Sequence, residues 1–162
     1  MKYYRAPWGK LLIGTSLSFT LLCLGIAVVV TQKVSGALSL SAWLPVLLAI
    51  GCALFTVRGY TLTPDAILVH RLLWSTELPR VGLASAQFVP HAMRWSIRTF
   101  GNGGFFSFSG FCWNKVLGAY RAFVTDLRRT VVLRYRSNRP VVLSPAAPED
   151  FVRDLAIPDH AG

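Results

Sequence analysis

Two long apolar runs constrain this chain more than any other feature. "LLIGTSLSFTLLCLGIAVVVTQ" lies between Lys10 and Lys33 without a charge, and "ALSLSAWLPVLLAIGCALFTV" follows almost at once, ending at Arg58. Each is roughly 20 residues long, the length at which a helix crosses about 30 Å of hydrocarbon. A cleaved signal peptide carries an apolar stretch of only about 7–15 residues, so the first run is too long for one. Two buried core helices of this size would leave too little of a 162-residue chain to cover them. The pattern therefore predicts a transmembrane hairpin, with spans at about residues 11–32 and 37–57. Pro45 falls near the start of the second span, where a kink is tolerable in lipid.

The flanks set an orientation. Lys2, Arg5 and Lys10 precede the first run, Arg58 and Arg71 follow the second, and the connection holds Lys33 alone. An excess of Lys and Arg marks the cytoplasmic side, so both termini are expected there. Tyr3, Tyr4, Trp8 and Tyr60 suit an interfacial aromatic belt. Cys23 and Cys52 lie inside the runs and Cys112 stands alone, a spacing that fits neither a disulfide framework nor a zinc site.

Beyond Arg58 the pattern changes to short alternating segments, which separates an N-terminal tail and hairpin (1–58) from a β-rich domain (59–162). "YTLTPDAILVHRLLW" reads as two strands about a Pro64-Asp65 turn. "STELPRVGLASAQFV" gives another short strand and then an irregular connection ending at Pro90. "VLGAYRAFVTD" alternates from Leu117 to Val124, and "TVVLRYRSNRPVVLSP" is a hairpin about Ser137–Pro140. "PEDFVRDLAIP" starts a helix, with Pro148 in its first turn and Glu149 and Asp150 complementing the positive end of the dipole. Phe151, Val152 and Leu155 share one face, and Pro158 stops the helix. Strands followed by one helix with an apolar stripe predict a small barrel or sandwich plugged by that helix. The expected class is thus an α+β membrane protein.

"RTFGNGGFFSFSGFCWNKVLGAYRAFVTDLRRTVVLRYRSNRPVVLSPAAPEDF" resembles the bacterial pleckstrin-homology-like (PH) domain of small integral membrane proteins. The resemblance rests on Gly101–Gly104, Leu117–Tyr120, Thr125–Arg128, Val131–Leu133, Ser144-Pro145 and Pro148–Phe151, in that order. It implies a PH-like barrel or sandwich, a cell (inner) membrane location with multiple passes, and a binding role rather than catalysis. The family is defined largely by fold, and one fold hosts many functions. The Lys/Arg-rich first hairpin loop of phosphoinositide-binding relatives is absent; that turn is "TLTPDAILVH", so inositol-lipid recognition is not implied.

The glycine-rich stretch Arg98–Lys115 is neither a dinucleotide fingerprint nor a P-loop. In one reading Gly101, Gly103 and Gly104 permit positive φ in a tight loop while the aromatics fill the barrel. In the other, some of Phe105, Phe106, Phe108, Phe111 and Trp113 are exposed to lipid or a partner, and Gly101, Gly103, Gly104, Phe105 and Phe106 form a candidate contact. His70, His91 and His160 are scattered, and the acids pair only on the final helix, so no residue is expected to be catalytic and no metal or cofactor site is expected. Asp126, beside Arg128 and Arg129, suggests a local ion pair or turn.

The charge balance says more. Lys and Arg number 17 against 7 acids, a net charge of +10. Arg121, Arg128, Arg129, Arg134 and Arg136 form a candidate surface for anionic lipid headgroups or a protein partner, each close charge worth about 1 kcal/mol at an anionic leaflet. Alternation places Arg134 and Arg136 on one face. No nucleic-acid signature is present. The expectation is a non-enzymatic, membrane-anchored binding or adaptor module. The alternative is a structural subunit of a homo- or hetero-oligomeric membrane assembly, since small residues such as Gly14, Gly25 and Gly51 permit close helix packing.

Overall fold

A computed structural model describes residues 1–33, 36 and 38–155, with the backbone alone at 38, 39 and 102–105. The chain runs β1 (Lys2–Arg5), α1 (Lys10–Lys33), α2 (Leu38–Ser41) and α3 (Leu44–Leu54), then β2 (Gly59–Leu62), β3 (Ala66–His70) and β4 (Ser75–Pro79). There follow β5 (Leu83–Phe88), β6 (Ile97–Phe105), β7 (Ser107–Asn114), β8 (Gly118–Val124), β9 (Val131–Tyr135), β10 (Val141–Leu143) and α4 (Pro148–Asp154). Residues 156–162, with Pro158, Asp159 and His160, lie outside the described residues.

The first apolar run forms one helix, α1, because nothing in it breaks the ladder. Its Thr15 and Thr20 hydroxyls donate to the carbonyls of Leu11 and Ser16 at 2.9 and 2.8 Å, which hides two polar groups in an apolar setting. Leu12, Ser16, Cys23 and Ala27 are its buried residues, one stripe at helical spacing. Leu11, Leu17, Leu21 and Val29 are among the apolar side chains left exposed. Among the described residues α1 is the one helix long and apolar enough to cross a membrane.

The second run departs from expectation. A single helix over about 37–57 is not formed: α2 stops at Ser41, two turn residues intervene, and α3 restarts at Leu44. Pro45 is the cause. It has no N–H to donate, and its ring excludes the carbonyl four residues back, that of Ser41. The 11 residues of α3 span only about 16 Å at 1.5 Å per residue.

The domain is a two-sheet structure closed by the C-terminal helix. One sheet has the order β1-β2-β3-β4 and the other β5-β9-β10-β8-β7-β6. β1, ahead of the helices, was not foreseen; it pairs antiparallel with β2, Tyr4 opposite Tyr60. β5 replaces the irregular connection expected before Pro90 and pairs with β9. The β9–β10 hairpin forms as expected, and β10 lies beside β8 in parallel.

Between the sheets lie Tyr60, Ile67, Phe123, Leu133 and Leu143, all with no exposed surface. Phe151 and Leu155 of the helical segment are equally buried. The Phe151 ring meets Tyr4 edge-on at 5.1 Å and Tyr60 at 6.1 Å. The Tyr60 hydroxyl donates to the carbonyl of Phe123 at 2.6 Å and accepts from the N–H of Ser144 at 3.1 Å, tying one sheet to the other. Burial pushes its phenol up to about 12, so it remains a donor at neutral pH. Ser144 Oγ in turn accepts the N–H of Thr125 at 2.8 Å.

The glycine-rich stretch is a hairpin, not a loop. Gly101, Gly103 and Gly104 lie within β6, and Phe106 (φ 61°) makes the turn into β7. Gly101 (φ 118°) faces Gly110 (φ 142°) across the ladder. A Cβ at Gly110 would sit 2.2 Å from the Phe100 carbonyl oxygen, and one at Gly101 2.4 Å from that of Ser109. Only glycine allows both the φ values and the approach.

Phe151→Ala in the full chain should cost about 3–5 kcal/mol, a large part of a small domain's stability. Thermal unfolding in detergent measures it, and an unchanged midpoint would make α4 peripheral. Gly110→Ala should lower stability by about 1–3 kcal/mol through strain at positive φ, measured in the same way.

Candidate functional site

One row of side chains leads from the core to the candidate site. Across β9, β10, β8, β7 and β6 the residues in register are Leu133, Val141, Arg121, Phe111 and Phe100. Directly paired residues share a sheet face. Exposure rises along the row: 0% at Leu133, 6% at Val141, 38% at Phe111 and 76% at Phe100. The four-stranded sheet thus covers the near end of this face and leaves the far end bare. Arg121 stands where the cover stops.

The helices roof part of the bare end. Phe106 donates its N–H to Ser16 Oγ of α1 at 2.8 Å, and Ser107 Oγ donates to the carbonyl of Phe55 at 3.2 Å. These two bonds fix the hairpin tip against α1 and the end of α3. Between helices and hairpin lies a cavity of about 760 Å³. Phe19, Leu48, Gly51, Cys52 and Phe55 line it on the helical side, and Arg98, Phe100, Phe111 and Arg121 on the sheet side. Arg71 enters from the β3–β4 turn. Gly51 has open space before it, with nothing within 4 Å of a Cβ.

The cavity is cationic at one end and has no acid in its lining. The Arg71 guanidinium lies 5.1 Å from the Phe123 ring centre, 5.4 Å from Phe55 and 5.6 Å from Trp74. Arg121 lies 4.8 Å from the same Phe123 ring and 5.7 Å from Phe111, and Arg139 is 5.9 Å from Phe111. Burial, with the charge of Arg121 adding, pulls Arg71 below the ordinary guanidinium value; it stays charged at neutral pH. Its Nε is buried and has no hydrogen-bond partner among the described residues. Two half-buried cations with aromatic faces and no counter-charge make an anion-binding environment.

The structure divides the five candidate arginines. Arg121 alone is in the cavity. Arg128 lies beside Lys10 where α1 begins, and Arg129 pairs with Asp126 at 3.8 Å. Asp126 also accepts the Arg128 N–H at 3.0 Å, the turn role anticipated for it. Arg134 and Arg136 are exposed; Arg134 follows buried Leu133 on β9 and so faces away from the Arg121 side of the sheet. They form no common surface with Arg121. The aromatics divide as well: Phe100, Phe111 and Trp113 are exposed, Phe106 packs near Trp8 with ring centres 6.3 Å apart, and Phe108 packs against the buried cluster of Tyr120, Ala122 and Val124. The side chain of Phe105 lies outside the described residues.

Sequence reasoning counted Arg71 and Arg98 among the cations but named neither as a site residue. The signal for Arg71 was a lone cation in "ILVHRLLW", an otherwise apolar stretch with no acid beside it. His70 is held by Thr61 Oγ1 at 2.7 Å and Ser75 Oγ at 2.9 Å, a strand residue with both ring nitrogens engaged. Among the described residues no group of three His, Cys, Asp or Glu is placed to hold a metal.

The chain matches no curated protein and no solved structure. A family model described as Bacterial PH domain matches residues 58–157, which run from the start of β2 through α4 and exclude β1 and the apolar helices. Residues on which the resemblance rests meet in space here: Ser144 binds Thr125 and Asp126, and Gly118 (φ 68°) closes the turn that Asn114 caps through the N–H groups of Val116 and Leu117. With more than half of its length matched and with this sheet-and-helix architecture, the chain belongs to the bacterial PH domain family.

Proposed function

We propose that this protein is a non-enzymatic binding module held against the cytoplasmic face of the bacterial inner membrane by its apolar helices. The observation that carries the reading is the bare apolar surface of those helices. Leu17, Leu21, Leu22 and Val29 of α1 and Leu44, Leu47 and Leu48 of α3 are about half exposed or more. A core helix would bury such residues, and an exposed apolar surface of this extent calls for lipid or a partner. In this reading α1 crosses the bilayer and residues 38–54, broken at Pro45, bring the chain back to the side it left; the pairing of β1 with β2 at the two ends of the excursion supports the return.

The charges support this placement. Lys10 and Arg128 lie together where α1 leaves the domain, and Arg5 and Arg58 face solvent near the same junction. Cations there lie within reach of anionic headgroups. Arg134 and Arg136 face elsewhere and serve solubility or a protein contact.

A second reading, a subunit of an oligomeric assembly, draws on one observation. β6 is an edge strand of the six-stranded sheet, with Ile97 64% and Phe100 76% exposed. Long apolar edges invite pairing with another chain.

Reporter fusions at Met1 and Gly162 should both read cytoplasmic, and the protein should stay in the membrane pellet after alkaline carbonate. One terminus outside, or release into the supernatant, sinks the anchored module. Sizing of the full chain in detergent separates the two readings. A monomer favours the binding module; a defined oligomer that Ile97→Lys dissociates favours the assembly.

A further inference from the structure

We propose that the cavity between α1, α3 and the β6–β7 hairpin holds one anionic amphiphile, a lipid with a phosphate-bearing head and an acyl tail. Arg71 and Arg121 grip the phosphate, and Phe19, Leu48 and Phe55 flank the chain. The inference rests on the membrane-anchored reading above, since the bilayer is the source of such a molecule.

Charge complementarity identifies the head. The two guanidiniums share the Phe123 ring at 5.1 and 4.8 Å, and Arg98 adds a third cation to a lining without an acid. A guanidinium packed by its face against an aromatic ring keeps its N–H edge for a planar or tetrahedral oxyanion. The unpartnered buried Nε of Arg71 is a donor of this kind. A phosphate oxygen there would satisfy it and offset the repulsion between Arg71 and Arg121.

The walls identify the tail. The cavity volume, about 760 Å³, lies within the range of small-molecule sites. Its cations belong to the domain, and Phe55 marks the domain end of α3. Phe19 lies about 13 Å along α1 from Lys10 at 1.5 Å per residue, and Leu48 lies nearly two turns back along α3 from Phe55. Head and tail would therefore point as they do in the surrounding leaflet. The site is no part of the β2–β3 turn where phosphoinositide-binding relatives concentrate their cations, and five of its thirteen lining residues come from the helical segment outside the PH match.

The test uses the full chain in a non-ionic maltoside detergent, titrated with dioctanoyl phosphatidate, dioctanoyl phosphatidylcholine and inorganic phosphate. Tryptophan fluorescence reports binding, since Trp74 packs against Arg71, and native mass spectrometry counts adducts. One phosphatidate per chain should bind, more tightly than either other probe. Arg71→Gln with Arg121→Gln should weaken it roughly tenfold or more, the loss expected for charge-assisted hydrogen bonds. Gly51→Leu, whose Cβ would meet nothing within 4 Å, should block phosphatidate without lowering thermal stability. Equal binding of phosphatidate and phosphatidylcholine, insensitive to the arginine changes, would reduce the cavity to an apolar crevice and overturn the proposal. Phosphate binding as tightly as phosphatidate and indifferent to Gly51→Leu would also overturn it, leaving a plain anion site. No phosphatidate binding by a chain that resists carbonate defeats the cavity assignment alone. Release by carbonate defeats the anchored reading and this inference together.

Discussion

The pairing of β1 with β2 is the constraint on which the remaining architecture depends. Four residues before the apolar helices, Lys2 to Arg5, register against Leu62 to Gly59 after them. That pairing closes the helical excursion into a loop whose two ends are locked into one sheet. It also places Tyr4 beside Phe151, and it brings Lys2 and the Tyr4 hydroxyl to Asp154, whose carboxyl they hold below its ordinary value. Helices, four-stranded sheet and C-terminal helix are thereby one packed unit. With its ends fixed, the helical pair has one place to lie. It runs along the β6–β7 hairpin, where Ser16 and the Phe55 carbonyl take up the hairpin's free donors.

The sequence was most legible where a single physical signal dominated. The Val131–Leu143 hairpin shows β-branched residues on both sides of a Pro-containing turn, and α4 shows Pro148, two acids and an apolar face. Both appear as read. β1 was hidden because Tyr3 and Tyr4 also suit a membrane interface, and a strand's partner beyond two helices leaves no local trace. The hairpin was hidden because Gly101 and Gly110 lower strand propensity, while the reason for them, a backbone approach to Phe100 and Ser109, exists only after pairing. The second apolar run misled through composition: its length was that of a span, but Pro45 divides it.

The candidate site was partly legible. Arg121 was singled out by charge, yet grouped with Arg134 and Arg136, which alternation alone could not place relative to another strand. Cavity formation depends on the registered row from Leu133 to Phe100, in which the residues of a conventional core pass beyond their cover and become a wall. The PH fold supplies that wall and the cavity's three cations, Arg71, Arg98 and Arg121. The helices, which the family match does not include, supply the other side.

The order of synthesis gives the β1–β2 pairing another consequence. β1 leaves the ribosome before β2, and α1, α2 and α3 are made between them. The sheet therefore cannot be completed from its own neighbours, and its closure waits on the helices reaching an arrangement that returns the chain to its starting point. Until then β2 is an open edge, and the Tyr4 side of Phe151 is uncovered. A chain whose helices are misplaced would therefore keep the β2 edge unpaired and one side of the Phe151 ring bare.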